Sequence, residues 1–254
     1  MRKYKAFTLA EVLITLTIVG IIAALTIPTL ITNIEKHQYT SKLKKASATL
    51  GNAGIQLAAY YDGRIPKELG PNDTVIFAAG NALFTICAFA KEGEYSGAGW
   101  AGNCRRSLGD YLNIVKHCKN LEGGGVANGC WHDESEGTIK TLDGLDYDDW
   151  TVDYQDAAIL ADGTLITQKG LNVNPAQDPN MWEFAVDVNG FKGPNTWGKD
   201  IYIIHVNTNG SLAFGRYQDN NAVNNCSASC SAHWLTCGTG CSLRVMRGDD
   251  IDWW

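Results

Sequence analysis

The sequence predicts an α+β fold in which one long N-terminal helix packs against an antiparallel sheet and disulfide-bound loops. Three observations carry this. Helix-compatible residues run without a stop signal from Phe7 to about Tyr61. Strand-like runs separated by turn dipeptides fill the stretch from Ala157 to Phe214. Eight cysteines occur, at Cys87, Cys104, Cys118, Cys130, Cys226, Cys230, Cys237 and Cys241.

The helix begins with a nearly unbroken apolar run from Val12 to Ile31. Its length, about 20 residues, suffices to cross roughly 30 Å of hydrocarbon. Thr15, Thr17, Thr26 and Thr29 interrupt it mildly, because threonine hydroxyls return to carbonyls of their own helix. Gly20 and Pro28 are its other interruptions. Arg2, Lys3 and Lys5 precede the run and would hold its leading end in the cytoplasm. An ordinary secretory signal peptide needs a small-x-small cleavage site, and Ile27-Pro28-Thr29-Leu30-Ile31 supplies none. A plain signal anchor leaves Glu11 unexplained, since an ionisable group at membrane depth is expensive and by default functional.

Beyond Ile31 the pattern becomes amphipathic. Tyr39, Leu43, Ala46, Leu50, Ala53, Leu57 and Tyr60 recur at three- and four-residue spacings, with Lys42, Lys45 and Asn52 on the polar side. Gly51 and Gly54 weaken the helix slightly, and Asp62-Gly63-Arg64-Ile65-Pro66 ends it. Two shorter helices are expected, at Val75–Ala90 and Ser107–Cys118, and the glycine-rich stretches near Gly97 and Gly123 read as loops.

The second half has the period of strands. Ala157–Leu160 and Leu165–Thr167 flank Asp162-Gly163 as a hairpin, and Phe184–Val188 is a third strand. Ile201–Asn207 and Ser211–Phe214, joined across Asn209-Gly210, make a second hairpin. There is no linker composition and no internal repeat. An exported chain with an even cysteine count reads as disulfide-bonded, with Cys87, Cys104, Cys118 and Cys130 pairing among themselves and Cys226, Cys230, Cys237 and Cys241 among themselves, in any of three connectivities for each group. The 3-6-3 spacing of the last four also suits zinc, which is the weaker alternative.

Asp187, Asn189, Asn195 and Asp200 supply hard oxygen ligands within a glycine-rich connection, so Ca2+ is the one cofactor suggested. The competing reading is a rigid turn in which Asp and Asn cap their own backbone. Asp146, Asp148 and Asp149 read as a solvated acidic face. No HExxH, G-x-S-x-G, phosphate-binding or dinucleotide motif is present, so no catalytic residue is assigned. His132-Asp133-Glu134 and Ser229, Ser231 and His233 are common residue types without a diagnostic pattern, and His205 reads as a packed strand residue. Eight tryptophans are best read as packing under the disulfide loops, with Trp253-Trp254 free to meet a neighbour.

Lys5-Ala6-Phe7-Thr8-Leu9-Ala10-Glu11-Val12-Leu13-Ile14 resembles the start of the type IV pilins and type II secretion pseudopilins. The resemblance covers about thirty residues and implies a pilin-like fold. It implies cleavage between Ala6 and Phe7 by a prepilin peptidase, with methylation of the new Phe7 amine. Ala6 departs from the family's usual glycine, while Gly20 and Pro28 fall where the family tends to place a flexible point and a helix kink. The resemblance also implies that Glu11 meets the N-terminal amine of a neighbouring subunit during assembly. Elementary electrostatics agrees, because a buried cation needs a partner and Glu11 lies one helical turn from Phe7.

Residues 1–6 are therefore expected to be a leader, 7–34 a membrane-spanning and filament-core segment, and 35–254 an exported head. Implied partners are like subunits in a helical filament, the peptidase, an inner-membrane assembly platform and, before assembly, the bilayer. The expected location is the inner membrane, with one pass and the head in the periplasm, and then a filament. The chain has 21 basic and 27 acidic side chains, and losing Arg2, Lys3 and Lys5 leaves 18 against 27. An acidic head gives no footprint for nucleic acid, and none is expected as partner. A membrane-tethered binding module that never polymerises is the competing class.

Overall fold

The computed structural model describes residues 8–65, 88–91, 106–119, 124–133, 137–147, 156–168, 181–215, 226–227 and 237–249. Ala6, Phe7, Cys87, Cys104, Cys230, Asp148, Asp149, Trp253, Trp254 and most of Val75–Ala90 lie outside them. Contacts divide the chain into two units, 1–38 and 39–253.

Helix α1 (Leu9–Tyr60) is 52 residues long. Through Ile34 its apolar side chains are exposed, including Leu13, Leu16, Val19, Ile22 and Leu25. Among the described residues it is the one helix long and apolar enough to cross a membrane. Thr15, Thr17, Thr26 and Thr29 each donate to a carbonyl three or four residues back, at 2.8–2.9 Å, which satisfies their hydroxyls without water. The helix assignment continues through Pro28. It ends where Asp62 (φ 55°) and Gly63 (φ 92°) turn left-handed and the Gly63 N–H donates to the Ala58 carbonyl at 2.8 Å.

Within 39–253 the buried stripe of α1 is Tyr39, Leu43, Ala46, Ser47, Leu50, Ala53, Gly54, Leu57 and Ala58. It packs on a six-stranded antiparallel sheet whose strands lie in chain order. These are β1 (Ile114–Cys118), β2 (Ala157–Leu160), β3 (Leu165–Gln168), β4 (Met181–Asp187), β5 (Ile201–Asn207) and β6 (Leu212–Phe214). Both expected hairpins form, across Asp162-Gly163 and Asn209-Gly210. A short helix α2 (Gly124–Ala127) follows β1, and α3 (Cys241–Arg247) follows β6.

The helix expected at Ser107–Cys118 is not formed. Ser107 caps a single 3-10 turn, Leu108–Asp110, in a reciprocal capping box with Asp110, and β1 follows. Leu108 and Leu112 are buried at helical spacing, and this misled the periodicity. The β-branched pair Ile114-Val115 instead joins the sheet edge, with His117 opposite Ala158 and Cys118 opposite Ala157. The Cys118–Cys130 disulfide closes that edge back onto the α2 loop.

Gly54 and Gly210 are where helix and sheet approach most closely. A Cβ on Gly54 would lie 2.8 Å from the Gly210 carbonyl oxygen, and one on Gly210 would lie 2.4 Å from that of Gly54. The helix-weakening glycine is thus what lets the β5–β6 turn touch the backbone of α1. Gly210 also sits at φ 80°, a region that L residues rarely adopt. Gly210→Ala is expected to cost at least about 2 kcal/mol of head stability. Gly20→Ala, in open space, should leave it unchanged. Urea melts of both variants check this.

The sheet is buried on both faces. Val206 faces α1 across Gly54, so Ile201 and Ile203, at odd offsets from it, point the other way. There they join Leu165 and Ala185 with Trp131, Ile139, Tyr147 and Trp197 in a second core. Trp131 and Trp197 are 2% and 0% exposed, which agrees with packing beneath the disulfide loops. The Cys226–Cys241 disulfide holds α3, whose Ser242 hydroxyl donates to the Ile203 carbonyl and accepts from the Gly215 N–H. Cys237 is also disulfide-bonded, and no described cysteine is free. The described pairs respect the expected division into two groups of four.

Candidate functional site

Two sets of residues expected to carry function fall within described segments. The first opens α1. Thr8 precedes the helix, and its N–H and hydroxyl both donate to Glu11 Oε2 at 2.9 Å. The Glu11 N–H returns to the Thr8 hydroxyl at 3.3 Å. This is a capping box, which satisfies donors that a helix start leaves orphaned. Thr8 has no part in the expectation built on Glu11 alone, although the Thr-x-x-Glu spacing signals it. Glu11 therefore has partners on its own helix within a single chain. Gly20 and Pro28 lie farther along the same exposed segment.

The second set is the connection from β4 to β5. The Val188 N–H donates to the Asp200 carbonyl at 2.9 Å and closes the loop. Bonds of Lys140 to the Asn195 carbonyl and the Trp197 N–H hold its far side. Asp187 and Asp200 are fully buried. Asp187 Oδ1 accepts the Asn189 N–H at 2.9 Å, and Oδ2 meets His132 Nε2 at 2.8 Å. Asp200 accepts the N–H groups of Asn195 and Thr196 at 2.8 and 2.6 Å. The expected turn capping is real. It does not use the amide oxygens: Asn189 Oδ1 and Asn195 Oδ1 are both buried without a hydrogen-bond partner among the described residues. A buried acceptor left unmade is costly and calls for an explanation.

Burial, and then the nearby Asp187 charge, push the Asp200 carboxyl up to about 7. Burial raises Asp187 as well, against the opposing pull of His132 and the Asn189 N–H. The connection thus carries two buried carboxyls that resist ionising and two unpartnered amide oxygens, all of the hard-oxygen type that Ca2+ takes. No group of three or more His, Cys, Asp or Glu among the described residues is arranged for a metal, so amide oxygens would have to complete the coordination. Gly190, at φ 73°, lets the loop approach the β2–β3 turn, since a Cβ there would lie 2.7 Å from the Gly163 carbonyl oxygen. Asn189 Nδ2 reaches the Gly193 carbonyl at 3.1 Å and the Tyr39 hydroxyl at 3.4 Å. The contribution of His132 was invisible to spacing, because it is 55 residues from Asp187.

His205 and His117 are structural in setting. His205, 1% exposed, pairs with Glu183 at 3.1 Å across β4 and β5. His117 pairs with Asp156 at 2.7 Å, and the other oxygen of Asp156 accepts the Phe89 N–H. Asp146 pairs with Lys140 on an exposed surface.

Residues 1–27 match the family model described as the prokaryotic N-terminal methylation motif. Comparison with curated proteins and with solved structures gave no match. The chain thus carries the N-terminal segment typical of type IV pilin and pseudopilin prepilins, on a pilin-like α+β fold of long helix, antiparallel sheet and disulfides. The motif implies processing by a prepilin peptidase and a membrane-anchored precursor.

Proposed function

We propose that this protein is a structural subunit of a type IV pilus or a type II secretion pseudopilus. The peptidase removes residues 1–6, Phe7 becomes the methylated terminus, and 7–34 holds the chain in the inner membrane with 35–254 in the periplasm. An assembly platform then draws α1 into a filament core of like subunits, where Glu11 exchanges its own cap for the neighbour's amine and sets the register. The observation that supports this best is the methylation motif lying on a helix whose apolar first half is exposed. Mass spectrometry of the mature N-terminus tests it. Loss of Met1–Ala6 with one added methyl group is expected, whereas an intact leader would leave only a tethered binding module.

The unpartnered oxygens of Asn189 and Asn195 favour a second reading, in which the β4–β5 loop holds Ca2+ through Asp187, Asn189, Asn195 and Asp200. The ion would supply the positive charge that these buried carboxyls lack. Calcium is expected to raise the melting temperature of the chelator-treated protein by several degrees, as saturating ligand commonly adds about 3 kcal/mol. A melting curve unmoved by millimolar calcium rules the site out.

A further inference from the structure

The two described disulfides differ in how their cysteines follow one another. Cys118 and Cys130 are consecutive cysteines in the chain. Cys226 and Cys241 are not. Cys230 and Cys237 lie between them, and Cys237 is itself bonded to a cysteine outside the described residues.

The Cys226–Cys241 bond belongs to the seat of α3. Cys241 is fully buried, and a Cβ on Gly198 would lie 2.7 Å from its Sγ, so the sulfur takes the space that a side chain there would need. Ser242, next along, bonds the Ile203 carbonyl at 2.7 Å and the Gly215 N–H at 2.8 Å. Arg244 donates to the Cys226 carbonyl at 3.2 Å, and the Ser47 hydroxyl of α1 meets Met246 Sδ at 3.8 Å. The helix thus ties β5, the β4–β5 connection and α1 together. A Cys241 bonded to Cys237 instead would draw its Sγ out of that seat.

Nothing local favours the native pair before it forms. An isolated helix of seven residues is unstable in water, so α3 cannot present Cys241 to Cys226 in the open chain. Cys230 follows Cys226 by four residues, and Cys241 follows Cys237 by four, whereas the native pair spans fifteen. Loop closure falls with about the 3/2 power of length, which favours each short pairing roughly sevenfold. The residues enclosed, Ser227-Ala228-Ser229 and Gly238-Thr239-Gly240, are small and offer no steric barrier.

We propose that oxidation first joins Cys226 to Cys230 and Cys237 to Cys241, and that these bonds are the substrate of a thiol–disulfide isomerase, a partner needed to close α3 onto the head. A disulfide oxidant such as glutathione disulfide makes each first bond and is reduced to its two thiols. The isomerase thiolate then attacks Cys226 Sγ, and Cys230 leaves as a thiolate. Cys230 attacks Cys237 Sγ and expels Cys241. The Cys241 thiolate attacks Cys226 in the mixed disulfide and releases the isomerase thiolate unchanged. The products are Cys226–Cys241 and Cys230–Cys237, with no net oxidation. Neither polymerisation nor calcium enters this scheme.

The test starts from the full chain, reduced in urea and diluted into detergent micelles with a glutathione redox buffer. Samples are quenched over time by thiol alkylation and digested unreduced with chymotrypsin, which cleaves after Trp234 and Leu235. The early bonds then lie within separate peptides, whereas Cys226–Cys241 joins two peptides and is located by fragmentation. Separate peptides are expected to exceed joined ones at least about fivefold in the first samples. A catalytic amount of protein disulfide isomerase should speed formation of Cys226–Cys241 by about tenfold or more. With Cys230→Ala and Cys237→Ala together the competing bonds cannot form, and the isomerase should gain less than about twofold. Cys226–Cys241 dominating the first samples of the parent chain without isomerase overturns the proposal. So does a rate that isomerase leaves unchanged in the parent chain, or an undiminished acceleration in the double variant.

Discussion

Glu11→Ala is expected to insert into the membrane normally and to be incorporated into filaments at least a hundredfold less than the parent chain. Insertion depends on the apolar run from Val12 onward, which the substitution leaves intact. Incorporation depends on charge. On the proposed function, loss of residues 1–6 leaves the Phe7 amine as a cation that enters an apolar filament core with the helix. Removing one partner of a buried ion pair costs about 3–5 kcal/mol, because the other charge stays behind without compensation. Every factor of ten corresponds to about 1.4 kcal/mol. The capping box supplies the internal control. Thr8 and Glu11 bond reciprocally in the single chain, and loss of a cap costs only about 1 kcal/mol. Thr8→Val should therefore reduce incorporation far less than Glu11→Ala. Equal losses from the two variants would mean that Glu11 serves its own helix, and undiminished assembly of Glu11→Ala would falsify the registry role. Quantifying membrane-inserted and filament-sheared protein from the same cells reads both quantities.

In the presence of chelator, the head is expected to lose stability as pH rises from about 4 to about 7. Asp200 titrates near 7 in the folded protein against an ordinary 3.8. Between those values the folded state binds more protons than the unfolded state, so the slope of unfolding free energy against pH is negative. The stabilisation is fully present below the unfolded pKa and is lost as pH passes through the folded one. Three pKa units correspond to roughly 4 kcal/mol, and the raised Asp187 carboxyl acts in the same direction. Asp200→Asn, neutral at every pH, should flatten most of this dependence and abolish the response to calcium. Calcium itself should flatten it in the parent chain, since a bound dication favours both carboxylates ionised. Urea melts across the pH range decide the matter, and a flat or rising curve for the parent chain contradicts the buried-carboxyl account.

Much of the architecture was legible because its determinants are local. The course of α1 follows from a twenty-residue-scale apolar run and a heptad-like stripe, and both hairpins from Asp-Gly and Asn-Gly. Ser107–Cys118 was misread because Leu108 and Leu112 sit at helical spacing, yet Leu108 belongs to a 3-10 turn and Leu112 to the chain entering an edge strand. What a strand pairs with is not encoded in its own period. Gly54 illustrates the same limit. As a residue it is a weak helix former, and only the β5–β6 turn lying against it reveals why no side chain fits there.

By itself, the sequence determined the membrane-length helix, its processing motif, the acidic balance and the two hairpins. Each of these is set by residue chemistry within a few turns or strands of chain. Tertiary structure alone decided that His132 meets Asp187, that two asparagine oxygens of the β4–β5 connection are left buried without a partner among the described residues, and that Asn189 reaches Tyr39. These arrangements join segments tens to more than a hundred residues apart. Their energetics follow from what burial brings together and from which water it removes.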